Sequence, residues 1–177
     1  MERPGNRHPL RENRLKRLAK DIDALADKDE ARVQRAAEIA RLRQMAASEL
    51  HRLCADFVSD LNGILERGEV LLDPPEWSFR DEGTNLIQIN TRGRILQIAF
   101  EATAELSSSE DFRIPYTLSG SIRAFNQELL EKHLIEEQLI FYTLEREKGL
   151  WRFFDARTYR SGPLDEEYLI SLMEQLV

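Results

Sequence analysis

The sequence predicts an α+β fold: an antiparallel sheet of about five to six strands, covered by a long N-terminal helix and a C-terminal helix, with a helical extension ahead of it. Three observations predict it. Residues 85–106 alternate in hydrophobicity with period two on either side of Thr91-Arg92-Gly93-Arg94, which marks a half-buried hairpin. Residues 31–67 carry a broad apolar stripe at helical spacing: Leu50, Leu53, Cys54, Phe57, Val58, Leu61, Ile64 and Leu65. Residues 164–177 repeat that spacing with Tyr168, Leu169, Leu172, Met173 and Leu176, behind an acidic first turn of Asp165, Glu166 and Glu167.

The elements follow in chain order. Residues 1–29 read as a basic, partly helical arm and 30–177 as one α+β domain. In the arm, Leu15, Leu18, Ile22 and Leu25 are spaced three, four, three, an a/d seam about two heptads long. The seam positions after them are Asp29 and Arg32, and the stripe resumes off-phase at Val33, Ala36 and Ala40. Either the helix breaks near Asp27-Lys28-Asp29 or it continues through a stutter. Two heptads are marginal alone, so these four residues are the expected partner-binding set. The small-residue stripe projects or pairs, and the Leu/Phe stripe after it joins the core, ending near Gly68 as a C′ glycine.

Asp73-Pro74-Pro75 stops any helix. A short strand follows over 76–80, then the hairpin strands 85–91 and 94–105. Over 112–124, Phe112, Ile114, Tyr116, Leu118, Ile122 and Ala124 share one face, with Arg113 and Arg123 on the other. Pro115 cannot donate to a ladder and marks that strand as an edge or a bulge, and Gly120 marks a bend. Residues 126–137 (NQELLEKHLIEE) have a capping asparagine and helix-forming composition, which reads as a short helix. Strands 139–145 and 150–155 form a second hairpin with apolar groups on both faces, 158–162 is a loop, and the helix 164–177 closes the chain.

Composition narrows the function. The chain has 177 residues, 42% apolar and 32% charged, with a net charge of −7. Residues 1–20 hold seven basic groups against two acidic ones, whereas residues 57–177 hold twelve basic and 22 acidic groups, a balance of −10. The acidic part repels nucleic acid and anionic membrane; the arm does not. One cysteine cannot form an internal disulfide or a cysteine-rich zinc site, no apolar run reaches membrane-spanning length, and the N-terminus lacks a secretory h-region, so a cytoplasmic chain is expected.

No glycine-rich phosphate loop is present, and His8, His51 and His133 fall in no ligand or catalytic spacing. Cys54 lies on an apolar stripe and reads as a buried, inert thiol. Glu136-Glu137 and Glu166-Glu167 read as solvated faces. Tyr142, Trp151, Phe153 and Phe154 read as core, or as a binding patch if one sheet face is bare. Arg113 and Arg123 could hold an acidic group of a partner. No cofactor, metal or catalytic residue is expected. The element order resembles that of small acidic secretion chaperones (helix, three strands, helix, two strands, helix) over roughly residues 45–177, with an additional strand here.

The leading expectation is a non-enzymatic interaction or chaperone-like module. It acts as a homodimer, using the arm or a sheet edge to bind a segment of a protein. The alternatives are a small-molecule pocket, for binding or for catalysis, between the sheet and helix 164–177, and nucleic-acid association through the arm.

Overall fold

The computed structural model describes residues 9–107, 116–127, 129–145 and 148–177, with 104–107 and 129–134 described by their backbone only. The chain divides into two units, Met1–Ile39 and Ala40–Val177. Helix α1, Pro9–Ile64, runs through both without interruption. The acid-rich stretch at Asp27-Lys28-Asp29 therefore leaves the helix intact, with Arg32 and Asp29 as an exposed i,i+3 pair at 3.8 Å.

In the second unit α1 packs on an antiparallel meander of six strands in the spatial order β1-β2-β3-β4-β5-β6. The strands are β1 Asn85–Thr91, β2 Arg94–Ser107, β3 Tyr116–Asn126, β4 Leu129–Glu145, β5 Lys148–Asp155 and β6 Arg160–Pro163, followed by helix α2, Glu166–Glu174. The central hairpin pairs Ile87 with Ile98 and Ile89 with Leu96. Its two-residue loop places Arg92 and Gly93 both at positive φ, 50° and 82°, as a type I′ turn requires. The Asn90 side chain accepts from the Gly93 amide at 3.0 Å. Ile98 pairs in turn with Ile122, so period-two alternation aligns aliphatic side chains across three strands.

Over this face lie Ala46, Ala47, Leu50, Cys54, Phe57 and Val58 of α1, all buried with Ile98, Phe100, Ile122, Ile140, Tyr142 and Trp151 in one core. Burial on α1 begins well before Leu50. Ala46 and Ala47 present no side chain beyond Cβ, and the Trp151 indole reaches the helix backbone, its Nε1 donating to the Ala46 carbonyl at 2.8 Å. Arg43 binds the sheet as well. Its Nε donates to Thr117 Oγ1 at 2.9 Å, another guanidinium nitrogen donates to the Thr103 carbonyl, and Asp81 stands 3.6 Å away. The helix thus reaches the sheet through polar anchors as well as through its apolar stripe.

Several sequence expectations are corrected. Residues 126–137 form no helix: β3 turns at Asn126↔Leu129 and β4 continues to Glu145 as a 17-residue strand. Helix-forming composition is a weak preference, and cross-strand pairing of the whole segment with β3 overrides it. The register shifts at Ile122/Ala124, Ala124/Phe125 and Phe125/Asn126 hide the alternation that would have marked the strand. The resemblance in element order to secretion chaperones rested on that helix and goes with it.

Residues 76–80 pair with no strand among the described residues. The Asn85 side chain takes both backbone groups of Arg80, at 2.7 and 2.9 Å, and so substitutes for a ladder partner. β3 is an interior strand between β2 and β4, so it offers no edge; Phe112–Pro115 lie outside the described residues. Tyr116 faces away from Leu118 because the register shifts between them, and its ring meets Phe141 on the opposite sheet face at 4.7 Å. Residues 160–163, read as part of a loop, add β6, a four-residue strand whose Arg-Ser-Gly-Pro composition carries no apolar period.

Candidate interaction surfaces

In the first unit, Leu15, Leu18, Ile22 and Leu25 occupy successive turns of α1 and are 54%, 54%, 55% and 56% exposed. Val33, beyond them, is 70% exposed. The stripe is therefore uniform and uncovered among the described residues. Its flanks are charged, and Lys16 with Glu12 at 2.9 Å is an ordinary i,i+4 surface pair.

The second unit carries an apolar cleft of about 380 Å³ where the end of α1, the segment after it and α2 meet. Phe57, Leu61, Leu65, Ile170, Met173 and Val177 supply its walls, with Arg92 and Glu174 as the charged groups on its lining. The floor is fixed by Asn62, whose side chain donates to the Leu72 carbonyl and accepts from the Leu72 amide, each at 2.8 Å. On α2 the Asp165 carboxylate caps the helix by accepting from the Tyr168 amide at 3.0 Å. That cap sets the phase with which Leu169, Leu172 and Met173 turn inward and Ile170 stays 37% exposed.

A polar cavity of about 280 Å³ lies on another side of α2, lined in part by Glu136, Gln138, Asp155, Arg157, Arg160 and Tyr168. Arg157 stands 3.7 Å from both Glu136 and Asp155. Hydrogen bonds from the Thr158 hydroxyl and the Arg157 amide hold the Asp155 carboxyl below its usual range. The Tyr168 ring stacks on Phe153 with centroids 3.9 Å apart, and its buried hydroxyl has no hydrogen-bond partner among the described residues. Burial, and then the charge of Asp155, push this phenol upward, so it stays a donor at physiological pH.

The remaining sequence candidates are structural. His51 meets the Pro75 carbonyl at 2.8 Å and the Trp77 ring edge-on at 5.2 Å. Cys54 is fully buried, and desolvation pushes its thiol up to about 12, which leaves no thiolate for chemistry at neutral pH. The aromatic cluster divides between the sheet faces. Tyr142 and Trp151 pack under α1 and Phe153 against Tyr168, whereas Phe154 joins Phe141 and Tyr116 on the far face. Arg123 donates to Gln97 at 2.8 Å. Arg113, His8 and the His133 side chain lie outside what is described. Glu136, Glu137, Glu166 and Glu167 are exposed.

Sequence reasoning did not foresee that the end of α1 would wall the cleft, nor the unpartnered Tyr168 hydroxyl, because both arise from residues distant along the chain. The free hydroxyl had no sequence signal. The cleft had a partial one in the width of the apolar stripe near Leu61–Leu65, which exceeds what one sheet face covers. Among the described residues, no group of three or more His, Cys, Asp or Glu side chains gathers as a metal site, and no helix is long and apolar enough to cross a membrane. No family model matches the chain, and neither a curated protein nor a solved structure matches it.

Proposed function

We propose that the chain is a non-enzymatic, cytoplasmic protein-interaction module that assembles with itself through the first unit of α1. The observation that carries this reading is the Leu15–Leu18–Ile22–Leu25 stripe, four large aliphatic side chains each a little over half exposed on one helix. A helical segment with such a stripe gains its stability from packing, so an uncovered seam calls for a partner. About half of each side chain remains to be buried, on the order of 1 kcal/mol apiece. Four positions per copy therefore support a reversible, concentration-dependent assembly.

The test is light scattering on the full chain across a concentration series, beside the double substitution Leu18→Glu and Ile22→Glu. The expected result is a dimer or larger species that dissociates on dilution, and a monomer for the variant. A parent chain that is monomeric throughout overturns the reading, as does a variant of unchanged size.

A second reading is favoured by the unpartnered Tyr168 hydroxyl: the polar cavity takes a small ligand that offers it an acceptor. Tyr168→Phe would then keep the thermal stability of the parent and lose any ligand-dependent rise in melting temperature.

A further inference from the structure

The apolar cleft at the end of α1 and the exposed stripe at its beginning are complementary in shape and in charge. We infer that the cleft receives the Leu15–Leu25 stripe of a second copy of this chain, so that self-assembly is helix-into-groove rather than stripe-against-stripe. The inference rests on the self-assembly proposed above and names the surface that the stripe meets.

Shape is the first argument. A cavity of about 150 Å³ lined by aliphatic and aromatic groups holds a benzene-sized ligand. The cleft, at about 380 Å³, therefore has room for two or three leucine- or isoleucine-sized side chains. The stripe offers such side chains at i, i+3, i+7 and i+10, the spacing with which an amphipathic helix anchors in a groove. Val177, on the lining, is 84% exposed and carries the apolar surface out to solvent.

Charge is the second argument. Arg11 and Arg14 lie one turn before Leu15 and Leu18, within a segment of residues 1–20 that carries seven basic and two acidic groups. On α2, Glu167, Ile170 and Glu174 recur at i, i+3 and i+7, an acid–apolar–acid row beside the cleft. Arg92, on the opposite wall, is near Glu69, whose carboxyl is held low chiefly by a backbone hydrogen bond and the Arg67 side chain, and also by Arg92 itself. The Leu15–Leu18 half of the stripe, with Arg11, Arg14, Lys16 and Arg17 beside it, thus meets the acidic row on α2, whereas Asp21 and Asp23 accompany the Ile22–Leu25 half. Helix-into-groove contact is heterologous, and it closes into a dimer when two copies exchange helices reciprocally.

Two single substitutions in the full chain separate the possibilities by light scattering, with circular dichroism confirming that each variant is folded. Leu18→Glu spoils the stripe and Ile170→Glu spoils the cleft at a partly exposed position. Each alone is expected to be monomeric at concentrations where the parent is dimeric. A mixture of the two is expected to recover a heterodimer, because the Ile170→Glu copy still has an intact stripe and the Leu18→Glu copy an intact cleft. Should Ile170→Glu prevent folding, Val177→Glu on the same lining carries the same expectation. If the cleft variant dimerises like the parent while Leu18→Glu does not, the groove is overturned and stripe-mediated assembly stands. If Leu18→Glu dimerises like the parent, both fall. Two monomeric variants that do not recombine overturn the groove.

Discussion

Trp151→Phe tests whether the second half of α1 is an integral wall of the core. The indole is 4% exposed and meets Phe100 and Tyr142 edge-on, with centroids 5.5 and 5.4 Å away. Its Nε1–H donates to the Ala46 carbonyl at 2.8 Å. That carbonyl sits inside a helix and already serves the backbone, so removing the indole N–H orphans no acceptor. The loss is the net worth of one bond, about 1 kcal/mol. The smaller ring also forfeits apolar burial and leaves a void, about 1–2 kcal/mol more. The sum is about 2–3 kcal/mol, which for a domain of this size lowers the melting temperature by roughly 5–10 °C. Urea unfolding followed by far-ultraviolet circular dichroism measures it, with an unchanged m value, and Trp77 remains as an independent fluorescent reporter. A loss below about 0.5 kcal/mol, the size of an ordinary surface substitution, would refute the contact between helix and indole.

Two other outcomes follow from buried groups. A Cβ at Gly120 would stand 2.0 Å from the Ala99 carbonyl oxygen and 2.7 Å from Phe100 Cα, both backbone atoms of the neighbouring strand. Gly120→Ala is therefore expected to cost about 3 kcal/mol or more, or to prevent folding, and a thermal melt matching the parent's would contradict that close approach. Burial raises the Cys54 thiol from 9.0 to about 12; burial and the neighbouring Glu49 raise the Tyr142 phenol from 10.0 to about 12. Both groups hold their protons more tightly when folded, so their contribution is complete below about pH 9 and is lost as pH rises towards 12. Denaturation midpoints should fall over that window, less steeply in Cys54→Ala, and an equally steep fall in that variant would exclude the thiol as a cause.

How much of this was legible in the sequence depended on whether a residue's neighbours lie close along the chain. The hairpin around Gly93 was legible because alternation and a positive-φ turn are local properties. The Leu/Phe stripe of α1 and the apolar face of α2 were legible for the same reason. Residues 126–137 were misread because their glutamates, leucines and one lysine suit a helix in isolation, while the partners that make them a strand lie on β3 across several register shifts. Arg43 gave no warning at all. An arginine on an alanine-rich stretch looks solvated until Thr103 and Thr117, some 60 and 74 residues onward, are brought to it. The seam at Leu15–Leu25 was visible as a spacing, but its exposure depended on what else the chain supplied to cover it.

The separation between Ala46 and Trp151 has a consequence for how the protein is made. Each strand pairs with the next, so the sheet can zip up turn by turn as it leaves the ribosome. The helix that roofs it is translated first, and one of its anchors is encoded 105 residues later. At about 5–20 residues per second, Ala46 waits on the order of 5–20 seconds for that indole. The nascent chain crosses that interval with its first hairpin able to cover Phe57 and its neighbours, while the Ala46 end of the helix face is closed last.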